Sequence, residues 1–418
     1  MLSSERKLAV AELKTGMYVC RLDRPWEGTP FLLQGLTVES DEDIRTLEVL
    51  CAHVYIDVER GIAPAAASLL SLEPEAPRFR PASRWRSYSD DEIGALLGVA
   101  SYPEQVDFEQ ELPQAREAHA QAAAFAERVL DDVREGRTIA VEDVRGAVEP
   151  MVRSLVRNAD AFLWLDALRA RGAYEYRHAL SCSALAAAFG RHVGLPQDLL
   201  VDMASGALLL DVGKLRLDPR LLARTDAYDA ADRQQMQTHV ALGLAVVDAG
   251  GAVPEHVRDM IRTHHEWIDG GGYPHQLDGD GIPLLGRVAA VVDAYDAMTS
   301  ERLHQHAVAQ HVALQTLYKG RGGQFAAEIV EQFMQCMSVY PIGALVELSS
   351  GEVAIVTAQN AARRLQPRVM VLTGPDKQLL SQFHALDLMI RAHSDDPVRI
   401  ASALAPGAYG LDPVDLFL

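Results

Sequence analysis

The spacing of apolar and polar positions changes character several times along the chain. In residues 6–60, Met17-Tyr18-Val19-Cys20 and His53-Val54-Tyr55-Ile56-Asp57 alternate in the manner of strands. Between them, Asp41-Glu42-Asp43 opens a stretch with Ile44, Leu47 and Leu50 on one helical face. Residues 1–62 are therefore expected to form a small α+β domain. Arg24-Pro25-Trp26 and Thr29-Pro30-Phe31 read as a turn with exposed aromatics, for packing sooner than for ligand recognition. Residues 63–110 carry Pro64, Pro74, Pro77, Pro81 and Pro103 and read as a Pro-rich linker or wrapping segment.

From residue 112, helical spacing takes over. Ala115, Ala118, Ala122, Phe125, Ala126, Val129 and Val133 form one apolar stripe, which Gly136 ends. A second stripe, Val144, Val148, Met151, Leu155 and Val156, starts near Val141, and Pro150 predicts a kink or break in it. Residues 111–159 thus read as a helical connector. Its stripes suit packing within the domain, and a homodimer seam is a second option. Residues 160–340 read as helix after helix: 159–171, 175–193, 197–213, 229–249, 254–265, 284–300, 307–318 and 325–337. In 341–418 the period changes again. Leu345-Val346-Glu347-Leu348 and Val353-Ala354-Ile355-Val356 flank Ser349-Ser350-Gly351 as a hairpin, and Arg368-Val369-Met370-Val371-Leu372 adds a strand. The fold class expected is multidomain: an all-α core with a small α+β N-terminal domain and a small β-rich C-terminal appendage.

Composition narrows the function classes. Of 418 residues, 49% are hydrophobic, enough for a substantial core, and the net charge of −19 disfavours a nucleic-acid polymer as partner. No apolar run reaches the roughly 18 residues of a membrane span. The first residues lack the apolar core of a secretory signal. Cys20, Cys51, Cys182 and Cys336 are scattered, with no CxxC, so neither a zinc ribbon nor a disulfide framework is suggested. A cytoplasmic protein is expected.

The chemistry concentrates in His264-His265-Glu266-Trp267-Ile268-Asp269-Gly270-Gly271-Gly272-Tyr273-Pro274. Adjacent imidazoles and carboxylates suit a divalent transition metal, and the glycines let backbone approach a ligand. By itself the stretch reads equally well as a solvated loop. Asp211, however, sits between Ala207-Leu208-Leu209-Leu210 and Val212-Gly213-Lys214, and Asp293 follows Val288-Ala289-Ala290-Val291-Val292. A carboxylate in so apolar a setting must be paired or coordinate something. With His178 and His239 on neighbouring helices, the candidate ligand set is His178, Asp211, His239, His264, His265 and Asp293. Isolated histidines such as His192, His256 and His304 read as packed or solvated.

Tyr176-Arg177-His178, Leu210-Asp211-Val212-Gly213-Lys214, Met236-Gln237-Thr238-His239, the His264–Pro274 stretch, Gly281-Ile282-Pro283-Leu284 and Asp293-Ala294-Tyr295-Asp296-Ala297-Met298-Thr299-Ser300 occur in that order. In this they resemble the HD-GYP family of bacterial signalling phosphodiesterases, over roughly 160–340. The front segment is similar to a domain that often precedes HD-GYP domains. The resemblance implies hydrolysis of cyclic di-GMP to linear pGpG and GMP at a site of two or three metals, often iron or manganese. It implies the six ligands above, with Asp211 bridging. It also implies Lys214 facing the scissile phosphate, Gly272, Tyr273 and Pro274 shaping the nucleotide pocket, and Arg302 contacting phosphate or guanine.

Three departures stand out. Leu210 replaces the histidine of the HD pair, which leaves one metal position a nitrogen short. Tyr174 stands where trimetallic members carry a glutamate. Leu303-His304-Gln305 follows Arg302, where the family places another cation. Changes outside the coordination sphere already cost about 10–100-fold in affinity or activity, so losing a ligand is expected to cost at least that. One or two bound ions and impaired hydrolysis are expected. The alternative is an inactive cyclic di-GMP receptor or a scaffold for protein partners in signalling. A phosphohydrolase of other substrate range is less compatible with the Gly272-Tyr273-Pro274 loop.

Overall fold

A computed structural model of the chain describes residues 5–23, 36–38, 40–57, 87–168, 174–224, 226–302, 306–360, 363–392, 394, 397–411 and 416–417. The turn expected at 24–31, the proline-rich stretch up to residue 86, and Leu303-His304-Gln305 lie outside them. The described residues fall into two compact units, Met1–Ser83 and Arg84–Leu418.

The first unit holds β1 (Glu5–Ala9), β2 (Tyr18–Leu22), β3 (Leu36–Thr37), α1 (Asp41–Leu50) and β4 (His53–Asp57). Its antiparallel sheet runs β1-β4-β2-β3, with Val54 opposite both Leu8 and Leu22. Leu8, Met17, Val19, Leu47, Val54 and Ile56 form its core. The alternation of β2 and β4 and the stripe of α1 are as the sequence suggests. β1 was not anticipated, because Arg6 and Lys7 dilute its apolar pattern.

The second unit begins with α2 (Asp90–Leu96), α3 (Phe108–Arg134), α4 (Val141–Arg157), α5 (Ala159–Ala167), α6 (Tyr174–His192) and α7 (Gln197–Leu208). It continues with α8 (Pro219–Leu222), α9 (Ala230–Gln237), α10 (His239–Ala249), α11 (Glu255–Thr263), α12 (Leu284–Thr299), α13 (Gln310–Gly320) and α14 (Ala327–Met337). Strands β5 (Leu345–Leu348), β6 (Val353–Ala358), β7 (Arg368–Thr373) and β8 (Leu379–Asp387), helix α15 (Leu388–Arg391) and β9 (Ile400–Ala403) complete it.

Helix α7 is buried all round, Leu199 through Leu208, so it lies at the centre of the helical layer. The alanines of α6 (Ala184, Ala186, Ala187, Ala188) are buried beside it. Helices α3 and α4 belong to the same core: Ala115, Phe125, Val129, Met151 and Leu155 are buried with α6 and α7. Those stripes are therefore covered within the chain. The five-stranded antiparallel sheet, β8-β7-β6-β5-β9, also joins this core through Leu345, Val353, Ile355 and Leu372.

Several local expectations are corrected. Within the stretch read as linker, Ser89 caps α2 with a reciprocal Glu92 contact, and Ile93 is buried. Such a cap contributes about 1 kcal/mol. Pro150 does not break α4. The carbonyl it deprives of a donor belongs to Gly146, on the exposed face, where water can take the donor's place. The helix read at 229–249 divides at Thr238, and the one read at 197–213 stops at Leu208, followed by a 3-10 turn at Val212–Arg216. Both interruptions fall at the site.

Candidate metal centre

Asp211 ends the buried run of α7, and the turn behind it presses against α10. A Cβ on Gly213 would lie 1.9 Å from the His239 carbonyl oxygen and 2.4 Å from the Gly243 nitrogen. Only glycine allows that approach, which brings Asp211 and Lys214 to the first residue of α10. His178 comes from the first turns of α6, His264 and His265 from the end of α11, and Asp293 from the middle of α12. Five helical elements thus converge, as ligand sites inside helical bundles do.

The two oxygens of Asp211 face two clusters. Oδ1 lies 3.3 Å from His239 Nε2 and 3.7 Å from His264 Nε2. Oδ2 lies 3.3 Å from His178 Nε2 and 2.5 Å from Lys214 Nζ. His178 Nε2 also lies 3.0 Å from Asp293 Oδ1. Asp211, His239, His264 and His265 form one group able to hold an ion; His178, Cys182 and Asp293 form another. Ligand atoms bound to one ion at about 2.1 Å sit roughly 3.0–3.4 Å apart, so most of these spacings already match.

The imidazole tautomers agree with that use. His239 Nδ1 donates to the Met236 carbonyl at 2.7 Å, and His264 Nδ1 donates to the Ile261 carbonyl at 2.9 Å. A carbonyl can only accept, so the proton is on Nδ1 and the Nε2 lone pair points inward. The two Nε2 atoms are 3.5 Å apart, and Asp211 Oδ1 is buried with no hydrogen-bond partner among the described residues. A buried carboxylate oxygen facing only lone pairs is expensive unless a cation lies between them. The donor set therefore fits a divalent metal.

Electrostatics point the same way. Burial would raise the Asp211 pKa, but Lys214 and the three imidazoles hold it well below the usual carboxylate range. Asp293, also buried, is lowered chiefly by His178. Burial opposes charge on His178, yet Cys182, Tyr174 and the carboxylates Asp211 and Asp293 hold its pKa well above the ordinary value, so a metal there would have to displace the proton on Nε2. Burial and the neighbouring His264 push His265 well down, which keeps it neutral and able to donate a lone pair.

The remaining candidates lie around this centre. Tyr273 packs on His265, with ring centroids 4.6 Å apart, and Gly272 is buried beneath the loop. A Cβ on Gly272 would sit 2.3 Å from the Trp267 nitrogen and 2.5 Å from Glu266 Cα. Pro274 follows, exposed, after a cis Tyr273-Pro274 bond. Lys214 and Arg302 line a cavity of about 260 Å³ with Asp211 and His178. Gly272, Tyr273 and Pro274 do not line that cavity; they stand on the His265 side. Leu210 is buried in the apolar core.

Sequence reasoning assigned no role to two further residues, Asp296 and Glu266. Asp296 Oδ2 accepts from His178 Nδ1 at 2.6 Å and so orients that ring. Its position one turn beyond Asp293 on α12 was the available signal. Glu266 is buried and accepts from the backbone of His275 at 2.7 Å and Leu277 at 3.0 Å, tying down the glycine loop. Tyr174 stacks on His178, with centroids 5.1 Å apart and planes 18° apart.

Comparison with known proteins supplies the family. Residues 163–329 match the family model described as HD domain. The chain carries an HD domain. Residues 5–144 match a domain of unknown function, DUF3391, whose span crosses from the first compact unit into α4. The chain is 27% identical over 409 residues, 97% of its length and 94% of the relative's, to a protein of Pseudomonas aeruginosa named cyclic di-GMP phosphodiesterase. It is 28% identical over 194 residues, 46% of this chain and 35% of the relative, to 3'3'-cGAMP-specific phosphodiesterase 2 of Vibrio cholerae. A solved HDG"Y"P protein from Bdellovibrio bacteriovorus aligns over 79% of this chain and 98% of its own at 16% identity, with a TM-score of 0.44. That likeness is too loose to add to the argument. Among the described residues, no helix is long and apolar enough to cross a membrane.

Proposed function

We propose that the HD domain of this chain is a metal-dependent phosphodiesterase centre whose substrate is cyclic di-GMP, with linear pGpG or GMP as product. The observation that carries the reading is Asp211: its two oxygens face separate ligand clusters, which suits a carboxylate shared between two ions. The first position would take Asp211, His239, His264 and His265; the second would take His178, Asp211 and Asp293. The substrate assignment draws on the full-length relative named for cyclic di-GMP. Iron or manganese suits the mixed imidazole and carboxylate donors.

When bound, two divalent ions supply Lewis acidity for an in-line displacement at phosphorus. The chain's own residues do the rest. Lys214, 2.5 Å from Asp211, places a cation where phosphate charge grows. The Met236 and Ile261 carbonyls and Asp296 hold three imidazoles in their ligand tautomers. Glu266 fixes the loop that carries Tyr273. Arg302 flanks the phosphate-side cavity.

Leu210 favours a slow enzyme. A leucine has no lone pair, and this one is buried in the core, so the second position would keep three ligands, His178, Asp211 and Asp293, beside the four of the first. The same residue supports a second reading, a receptor that binds cyclic di-GMP without turning it over. The test is metal analysis of protein purified without added metal, beside turnover of cyclic di-GMP with iron and with manganese. Two ions per chain and product formation, both abolished by Asp211→Ala, support the enzyme. One ion or none, with binding but no product, establishes the receptor. Neither binding nor product removes cyclic di-GMP from the account.

A further inference from the structure

A tyrosine at the mouth of α6 makes contacts that its hydroxyl does not explain. Tyr174 lies one turn before His178, and its ring stacks on that imidazole. The Arg302 guanidinium carbon lies 4.6 Å from the centroid of the same ring. Phenylalanine would serve both contacts equally well. Yet the Tyr174 hydroxyl is buried and has no hydrogen-bond partner among the described residues. A buried phenol normally finds one.

The ring's neighbours are His178 of the metal centre and the flanking cation Arg302. Among the described residues, none accepts the hydroxyl's proton. Tyr174 also lines the 260 Å³ cavity, whose other polar residues are Glu175, His178, Asp211, Lys214, Tyr228 and Arg302 and whose apolar wall includes Leu130, Leu208, Leu215 and Leu222. Arg302 Nε is likewise buried without a partner. An ammonium, a guanidinium and a phenol therefore offer donors around one small space, and no acceptor among the described residues takes the phenol's proton. A phosphoryl group, with several acceptor oxygens and negative charge, answers all three.

We propose that the Tyr174 hydroxyl donates a hydrogen bond to a phosphoryl oxygen of the ligand held at the metal centre, completing a clamp with Lys214 and Arg302. A phenol keeps its proton at neutral pH and so remains a donor. The stack between Arg302 and His178 holds the ring in place before the ligand arrives, which lowers the ordering cost of binding. The clamp rests on the phosphodiesterase reading only in needing a phosphoryl ligand at a metal-loaded site.

The test is Tyr174→Phe in the full chain loaded with manganese, which keeps the ring and removes only the hydroxyl. Inorganic phosphate is the probe, measured by calorimetry, with acetate as a carboxylate control. Metal content and melting temperature should match the unmodified protein. Phosphate affinity should fall roughly 10- to 100-fold, the usual weight of a hydrogen bond to a charged group. Unchanged phosphate affinity overturns the proposal, whether or not stability shifts. Loss of metal in step with the hydroxyl also overturns it, because the phenol would then be a metal ligand. So does an unmodified protein that binds no phosphate, or acetate binding that shows the same hydroxyl dependence. A cyclic di-GMP assay run in parallel separates this proposal from the assigned substrate. Phosphate binding that depends on the hydroxyl, without turnover, leaves the clamp standing and removes the hydrolase. Turnover with an unchanged KM in Tyr174→Phe does the reverse.

Discussion

Asp296 gives the sharpest test of how the two ligand groups are built. Its carboxylate receives His178 Nδ1–H at 2.6 Å and the Ser300 hydroxyl at 3.3 Å, and it is itself buried. His178 Nε2 faces Asp211 and Asp293. In Asp296→Ala the imidazole keeps its donor nitrogen but loses the group that fixes its rotation. A hydrogen bond to a charged partner contributes about 1.5–3 kcal/mol, and removing such an outer partner of a metal ligand typically weakens metal binding about 10–100-fold. The two figures agree, since about 1.4 kcal/mol is tenfold. The loss should be selective. His239 and His264 are oriented by the Met236 and Ile261 carbonyls, which the substitution does not touch. Metal titration of Asp296→Ala, followed by calorimetry, should show one class of site weakened by that factor and the other unchanged. Asp296→Asn, which can still present an oxygen to Nδ1–H, should fall between. Equal loss at both classes would refute the separate orientation of the clusters. No loss at either would mean that His178 is not a ligand.

Other expectations follow from the same coordinates. Gly272→Ala forces a Cβ against the Trp267 and Glu266 backbone, and the loop must shift. It should lower stability by about 1–3 kcal/mol in denaturant titration and weaken metal binding at His265. Asp202 joins Arg145 and His256 in a buried contact between α4, α7 and α11. Asp202→Ala should cost about 3–5 kcal/mol, because a buried guanidinium loses its carboxylate Asp202; a loss below 1 kcal/mol in urea unfolding would show that the pair is hydrated. Burial pushes the Asp160 carboxyl up to about 7, against the Gln359 N–H that donates to it. A folded pKa above the unfolded value of about 3.9 means that the unfolded chain releases the proton first. This contribution to stability is therefore whole below pH 4 and is lost as pH rises towards 7. Asp160→Asn should flatten that part of the stability profile, and an unchanged slope would place the ionised carboxylate in a hydrated setting.

Much of this centre was legible because its chemistry conflicts with its surroundings. Asp211 and Asp293 stand out as charges within apolar helices, and a charge there needs a reason. The residues that orient the ligands carry no such signal. Met236 and Ile261 act through backbone carbonyls, which every residue possesses, so their side chains say nothing about the role. Asp296 and Glu266 sit among other acids in the same stretches, and only the fold separates the one that reaches His178 from the one that ties the loop. Pro150 misled for a similar reason. Whether a proline breaks a helix depends on whether the carbonyl it orphans faces water, and Gly146 faces water only once α4 has packed.

Leu210 and Tyr174 show how far one substitution can be read without the other. Leu210 alone argues for a failing site, because a ligand nitrogen is gone and the leucine is sealed into the core. A site relieved of all demand would be expected to lose its costly buried charges as well, since replacing buried ion pairs by packed apolar groups is often neutral or stabilising. Here His178 stays 3.3 Å from Asp211 and 3.0 Å from Asp293, and Tyr174 covers His178 with a hydroxyl that meets no partner among the described residues. Such groups are costly to bury without compensation. Their cost is offset only when a cation and an anionic ligand are present. The combination therefore argues for a pocket kept for binding, in which turnover depends on how well solvent substitutes for one missing nitrogen. Leu210→His tests that dependence directly. If the imidazole restores a full second position, metal content and the rate of cyclic di-GMP hydrolysis should rise together. If metal content rises and hydrolysis does not, the missing nitrogen was never the obstacle to turnover.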